Sequence, residues 1–324
     1  MNSTIAIFHR LLMTSLVTVF ILISLGGIVR STGSGMGCPD WPKCFGQYIP
    51  PTSETQLPAD YKTRFSVKGK KVATFSPFKT WVEYTNRLFG VWTGFITLAL
   101  ALFAFKFRGT HKSIFWYSQG ALLMVIFNGW LGSKVVSSHL APGIITLHML
   151  LAMILVFILL QLKSVSGMVP SLKEKFEGLA KYKKVVLGLC FLVFVQIILG
   201  TQVREQIDFI TNTEPNLARS NWLDRLDWVF YVHRSFTVLI LLSAVYVIRN
   251  LREVFSDDIY GSGLLIKIMM ILFAEIGFGV ILGYFSFPAF AQPLHLLLAI
   301  MLVSYVYEMF VYLASFGKES NVAL

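Results

Sequence analysis

The stretch WVFYVHRSFTVLI, residues 228–240, places a histidine beside an arginine inside an apolar segment of helix length. Ionisable side chains at membrane depth are costly, so they usually face a protein interior and serve a function there. A related stretch, WVEYTNRLFGVWTG at residues 81–94, aligns Asn86 with His233 at an offset of 147 positions. We therefore take His233 as the reference point for the rest of the chain.

The same offset recurs in other parts of the sequence. HMLLA, which begins at His148, matches HLLLA, which begins at His295, and Arg87 matches Arg234. Separate segments that share one offset indicate an internal repeat.

The composition indicates a membrane protein. Of the 324 residues, 55% are hydrophobic and only 14% are charged, whereas a soluble domain carries about 25% charged residues. The net charge of +11 lies largely in loops beside apolar segments, where it sets orientation or meets anionic lipid. We therefore expect membrane lipid as a partner and no nucleic acid.

Hydropathy predicts eight membrane spans, each near the roughly 20 apolar residues that a bilayer requires. Runs of this length are too long for the strands of a barrel, so the predicted class is all-α. The first run is interpreted as a retained span and not as a signal peptide. The predicted spans are residues 11–29, 81–105, 113–133, 142–162, 184–203, 228–248, 264–283 and 292–315.

Basic residues predict the orientation. They are concentrated after the second, fourth and sixth spans, which places both termini in the cytoplasm. The first outer loop, residues 30–80, is also basic, but long loops cross the membrane with weaker regard to charge. Because nothing resembles a transit peptide, we expect a bacterial plasma membrane. The residues that set the orientation are Lys106, Arg108 and Lys112; Lys173, Lys175, Lys181, Lys183 and Lys184; and Arg249 and Arg252.

The repeat predicts two tandem four-helix bundles. Four spans per repeat give both halves the same orientation, related by an axis along the membrane normal. The expected halves are residues 1–162, which include the outer loop, and residues 184–324, joined by a cytoplasmic linker at 163–183. Cofactor sites are then expected inside each bundle.

Four residues near the predicted outer face suggest ligands. His233 faces His295 in the second half, and Asn86 faces His148 in the first. A zinc site is disfavoured because a third and fourth ligand are missing, whereas heme needs only one or two axial ligands. A hydrogen bond across helices is the alternative for a single histidine, but a pair in repeat-equivalent positions favours ligation.

Charged neighbours extend this interpretation. Arg234 and Arg87 are suited to pair with heme propionates. Glu83 precedes Asn86 by three positions and so shares its helix face, whereas Phe230 occupies the equivalent place in the second half. Glu83 is a candidate proton acceptor or stabiliser of positive charge; the alternative is a structural partner of Arg87.

Cys38 and Cys44 bracket CPDWPKC in the outer loop. Outside the membrane the redox environment allows a disulfide between them, and a structural link is favoured over a redox-active pair. Cys190 is expected to be an inert buried residue.

Two further polar residues lie within predicted spans. Glu275 is either part of a proton path or a neutral group bonded to a neighbour, and the sequence does not choose. Asn128 is expected to make a hydrogen bond between helices.

These residues resemble the heme A synthase family over most of the chain. Six segments, three in each half of the chain, carry the resemblance, and they occur in the order and with the spacing of the family. They are GGIVRSTGSGMGCPDWPKCFGQYIP, WVEYTNRLFG, LAPGIITLHMLLA, ILGTQVREQID, FYVHRSF and QPLHLLLA.

The resemblance implies an activity, the oxidation of the C8 methyl of heme O to a formyl group by successive hydroxylations with oxygen from water. It implies a resident heme b on the iron ligands His233 and His295, with Arg234 nearby. It implies heme O in the first half, with His148 on its iron and Glu83 at the catalytic carboxylate position. It also implies heme O synthase and cytochrome oxidase assembly factors as partners, and leaves a homo-oligomer open.

One position departs from the family. The family pattern E-x-x-H-R reads Glu83-Tyr-Thr-Asn86-Arg87 in this chain. Either His148 alone holds the substrate iron, or Asn86 holds a water. The Cys38 and Cys44 pair resembles an outer-loop disulfide found in part of the family, where the resemblance leaves two roles open, electron transfer or ordering of the loop.

Two other functions account for part of the pattern. A b-type cytochrome that exchanges electrons with quinone requires the histidine pair but not Glu83. A transporter built on the parallel repeat predicts helices broken at mid-membrane, whereas Pro142 and Pro293 lie at span starts. The transporter is therefore ranked last.

Overall fold

The computed structural model describes residues 3–66, 74–214 and 216–317, and within these ranges it is helical without strands. Eight helices are long and apolar enough to cross a membrane, which confirms the predicted all-α class and the number of spans. Residues 67–73 of the outer loop and 318–324 of the predicted second half lie outside the described residues. The helices are α1 (Ser3–Ser31), the single turn α2 (Tyr61–Arg64), α3 (Pro77–Phe103), α4 (Lys112–Ser137), α5 (Pro142–Val165), α6 (Leu179–Thr213), α7 (Trp228–Val254), α8 (Ile259–Tyr284) and α9 (Ala291–Ala314).

Local sequence explains where several helices begin. The side chains of Ser76, Asp227 and Asp258 accept hydrogen bonds from first-turn N–H groups of α3, α7 and α8. These N–H groups have no partner within a helix, so a capping oxygen stabilises the terminus. Pro77 adds a fixed φ at the first position of α3, where its missing N–H costs nothing.

Helix α6 is longer than the sequence predicts. It has 35 residues, about 52 Å at 1.5 Å per residue, and the predicted span stopped at residue 203. The extension is polar on one side but buries Ile207 and Ile210, so hydropathy averaged over a window misses it. These residues pack in one cluster with Val203, Trp222, Leu226 and Phe287.

The chain divides into two compact units, Met1–Leu162 and Lys163–Leu324. In the second unit α6 packs on α7, α7 on α8, α8 on α9 and α9 on α6, which closes a four-helix arrangement. In the first unit α1 packs on α3 and α3 on α4. Three of the four pairs of corresponding helices have equal lengths: 27 residues for α3 and α7, 26 for α4 and α8, and 24 for α5 and α9, whereas α1 has 29 and α6 has 35. The equal lengths support the internal repeat.

The outer loop folds around a small core of its own. Cys38 and Cys44 form a disulfide, as predicted, and both are buried with Phe45 and Tyr61. The Phe45 ring makes edge-to-face contacts with the rings of Tyr61, Phe65 and Phe75. The loop is therefore an ordered cap over the start of α3.

Gly37 permits the close approach of this cap to α3. A Cβ at Gly37 would lie 2.4 Å from the Lys79 carbonyl oxygen and 2.8 Å from the Thr80 nitrogen, both main-chain atoms that cannot swing away. We expect Gly37→Ala to lower the free energy of unfolding by about 1–3 kcal/mol through overpacking. Gly120→Ala is the control, because a Cβ there meets nothing within 4 Å. Thermal unfolding in detergent measures the effect; equal melting temperatures for both variants would contradict this contact.

Candidate functional site

His233 on α7 and His295 on α9 lie next to each other within the second unit. Their ring centroids are 6.3 Å apart and the ring planes meet at 83°. His233 is the sixth residue of α7 and His295 the fifth of α9, so both lie near the start of their helices. The structure thus brings together the two residues that the sequence pairs.

The separation of the two rings fits one metal ion between them. An imidazole nitrogen binds a transition metal at about 2.0–2.1 Å, and the ring centre lies roughly 1.1 Å behind that nitrogen. Two axial imidazoles on one iron therefore have centroids roughly 6.2–6.4 Å apart. The observed 6.3 Å falls in this range, so the separation and the donor type are compatible with a heme iron.

Glycines on the neighbouring helices make room for the rings. A Cβ at Gly200 of α6 would lie 3.2 Å from Cε1 of His233, and one at Gly279 of α8 would lie 3.4 Å from Cε1 of His295. Since glycine costs about 1 kcal/mol relative to alanine inside a helix, these positions require a packing reason. The sequence analysis did not identify them, although that cost was a usable signal.

Two polar side chains complete the surroundings of the pair. Gln196 of α6 donates to the His233 carbonyl oxygen at 2.9 Å and to the Thr237 hydroxyl at 3.0 Å, which ties α6 to α7. Glu275 of α8 places Oε1 3.1 Å from Nδ1 of His295. Glu275 thus has a defined partner, which the sequence left open, and all four helices of the unit contribute to the site.

The first unit holds a related but different arrangement. His148 on α5 lies against Gly132 of α4, where a Cβ would be 3.5 Å from Cε1 of the ring, and beside the main chain of Asn128. Gly132 and Gly279 are 147 positions apart, as are His148 and His295. The packing of a histidine ring against a helix glycine is therefore repeated in both units.

Several buried polar atoms of the first unit, including Nδ1 of His148, lack hydrogen-bond partners among the described residues. Asn86 Oδ1 and both polar side-chain atoms of Asn128 are buried without a hydrogen bond. The expected bond between helices from Asn128 is therefore not found. Buried polar groups are normally paired with protein or ordered water, so these atoms indicate a place for a polar ligand or water.

Glu83 is buried, with 4% of the residue exposed. Its Oε1 lies 2.5 Å from Nη2 of Arg87, and its Oε2 accepts a hydrogen bond from the Cys38 N–H at 2.8 Å. The structure thus shows the contact to Arg87 that the sequence analysis gave as the alternative. A carboxylate offers about four acceptor sites, so each oxygen retains capacity for another donor.

Arg87 fastens the disulfide loop to α3. Nη1 donates to the carbonyl oxygens of Asp40 at 2.7 Å and Lys43 at 3.0 Å, and Nη2 donates to the Cys38 carbonyl at 2.8 Å and to Glu83. Four terminal N–H groups are thereby used. The structure therefore gives Arg87 partners that the sequence did not predict, and its pairing with a propionate stays a prediction.

Arg234 differs from Arg87 although the repeat aligns them. Arg234 is exposed at the surface of α7. Consecutive residues on a helix point about 100° apart, so Arg234 and His233 leave the helix in different directions.

Comparisons with known proteins show which family the chain resembles. Residues 9–307 match the profile of the family described as cytochrome oxidase assembly protein (COX15-CtaA). The chain is 26% identical to a protein named Heme A synthase from Rickettsia africae, over 90% of this chain and 94% of that protein. It is 26% identical to Heme A synthase of Rickettsia bellii over 92% and 95%. It is also 26% identical to Heme A synthase of Shewanella oneidensis, over 67% of this chain and 62% of that protein.

Removal of the Arg87 guanidinium is expected to loosen the disulfide loop. Hydrogen bonds to a charged group contribute about 1.5–3 kcal/mol each, so Arg87→Ala should speed reduction of the Cys38–Cys44 bond about tenfold or more. Lys43→Ala is the matched control, because only its main-chain carbonyl takes part. Thiol alkylation followed by mass spectrometry gives the rates. Equal rates in both variants would show that the clamp does not protect the loop.

Proposed function

The chain belongs to the cytochrome oxidase assembly protein family, and on that premise we propose that it is a heme A synthase of a bacterial plasma membrane. The substrate is heme O, and the C8 methyl becomes a formyl group. The methyl carbon and one net water give the formyl group, four protons and four electrons. Heme O synthase and cytochrome oxidase assembly factors are the proposed partners, and both termini are proposed to be cytoplasmic.

The observation that carries the proposal is the opposed histidine pair of the second unit. The 6.3 Å separation of the His233 and His295 ring centroids is compatible with two imidazoles that would hold one heme iron. We assign them to a resident heme b, which when bound supplies one-electron redox chemistry. Arg234 remains the proposed partner of a heme propionate, since Arg234 is exposed and a propionate carboxylate can approach it.

The first unit is the proposed substrate side. His148 is assigned to the heme O iron, because its seat against Gly132 repeats that of His295 against Gly279. The family has histidine where this chain has Asn86. Asn86 Oδ1 is buried without a partner among the described residues, which supports the assignment of Asn86 as the holder of a water and not as an iron ligand.

Glu83 is the proposed catalytic carboxylate. Oxidation of the methyl carbon removes electrons and leaves positive charge at that carbon, and a nearby anion stabilises this charge in a medium of low dielectric constant. Arg87 and the Cys38 N–H hold the carboxylate in one orientation, so little reorganisation is needed when charge develops. The remaining acceptor sites of Glu83 can orient the attacking water and take its proton.

Heme analysis tests the activity directly. The chain is expressed in cells that supply heme O, and extracted hemes are separated by chromatography. A formyl heme that appears only when the chain is present supports the synthase. Unchanged heme O together with a heme-loaded protein would support the b-type electron carrier and overturn the synthase.

The ligand assignment predicts loss of the resident heme from either histidine variant. His233→Ala and His295→Ala each remove one axial ligand and should abolish the low-spin heme spectrum of the purified chain. His111→Ala, which changes a histidine before the start of α4, should retain it. If both ligand variants kept an unaltered spectrum, the axial assignment would be wrong.

The role of Glu83 predicts a defect in chemistry without loss of cofactor. Glu83→Gln keeps the shape and an acceptor oxygen but removes the charge, so heme A output should fall roughly 10²-fold, the usual scale for one electrostatic contact to a transition state. The alcohol intermediate is expected to accumulate, while the resident heme spectrum and the disulfide stay intact. Heme A output equal to that of the parent chain would refute the role.

A further inference from the structure

We propose that Glu275 is the positioning residue of the resident heme: it fixes the orientation of His295 and sets the redox potential of the iron. The proposal rests on the proposed function, because it concerns the same histidine pair. It adds a role for a buried carboxylate that the reaction itself does not use.

The geometry places Glu275 where an orienting group must be. Glu275 precedes Gly279 by four positions, so both lie on one face of α8. Gly279 makes room for Cε1 of His295, and Glu275 Oε1 lies 3.1 Å from Nδ1 of the same ring. The carboxyl group thus lies in contact with Nδ1 without a hydrogen bond of standard geometry, and this contact points to Nε2 as the nitrogen for iron. Metal-bound histidines commonly hold their other ring nitrogen in this way.

The burial of Glu275 argues for a dedicated function. Its side chain is 14% exposed, and Oε2 has no hydrogen-bond partner in the part of the chain that the structure describes. A carboxyl group inside a membrane span is costly and is retained where it has a specific partner. His295 is the partner observed here.

The first unit provides an internal contrast. The residue 147 positions before Glu275 is Asn128, which lies beside His148. An amide is neutral, whereas a hydrogen bond that involves an ionised group is roughly twice as strong. The two units therefore differ at this position: Glu275 places a carboxyl group against the histidine ring, whereas Asn128 meets His148 through its main chain and its side-chain amide has no hydrogen-bond partner among the described residues.

This contrast has a consequence for the iron. A carboxylate on Nδ1 makes the imidazole a stronger donor, and hydrogen bonds to axial ligands are one of the means by which a protein tunes heme potential. A stronger donor favours ferric over ferrous iron. Glu275 is thus expected to hold the potential of the resident heme below the value that a neutral partner would give.

The experiment compares the purified heme-loaded chain with three variants. Glu275→Gln keeps the size and an acceptor oxygen, so heme content should stay at the parental level while the midpoint potential moves to a more positive value. The g-values of the ferric low-spin signal should move with it. Glu275→Ala removes the orienting contact and should in addition lower the fraction of heme with two imidazole ligands. Asn128→Ala, the matched control, should leave the potential of the resident heme unchanged.

The outcomes separate this inference from the function on which it rests. Parental potential and g-values in both Glu275 variants would overturn the inference and leave the heme site standing. An equal shift in Asn128→Ala would also overturn it, because the effect would then not arise at His295. A parent chain without a bis-imidazole heme would overturn the heme site and the inference together.

Discussion

Two imidazoles held next to each other inside an apolar helix bundle, with their ring planes nearly perpendicular, are the constraint on which the second unit depends. Rings 6.3 Å apart require α7 and α9 to present His233 and His295 towards each other. Gly200 and Gly279 leave space for the rings, since larger side chains would displace them. Gln196 ties α6 to the main chain at His233, so each of the surrounding helices is shaped by the pair.

The first unit uses related parts for a different purpose. It retains a histidine seated against a glycine, but its α3 carries Glu83 and Arg87, which bind the disulfide loop instead of a second ring. The cap and the proposed catalytic carboxylate therefore share hydrogen bonds, so the order of the loop and the orientation of Glu83 depend on each other. This coupling gives the loop disulfide a structural consequence at the site, whether or not it also carries electrons.

Hydropathy and the repeat offset were enough to predict the eight helices and the histidine pair, and the two cysteines of the outer loop were enough to predict the disulfide. The hydrogen-bond partners of individual side chains were harder to predict. They depend on the rotation of each helix about its axis and on the path of the loop that packs against it. Arg87 stands beside Asn86 in sequence, yet its guanidinium turns to the loop carbonyls. Glu275 could not be assigned until α8 was placed beside α9. Hydropathy missed the extension of α6 because its buried residues, Ile207 and Ile210, lie among polar residues that lower the average over a window.

The most direct measurement is electron paramagnetic resonance of the ferric chain, purified from cells with and without a heme O supply. The account predicts one low-spin heme with two imidazole ligands per chain in both preparations. A second heme with a different signal should appear only when heme O is supplied. Two identical bis-imidazole signals, or none in either preparation, would contradict the division of the chain into a resident heme site and a substrate site.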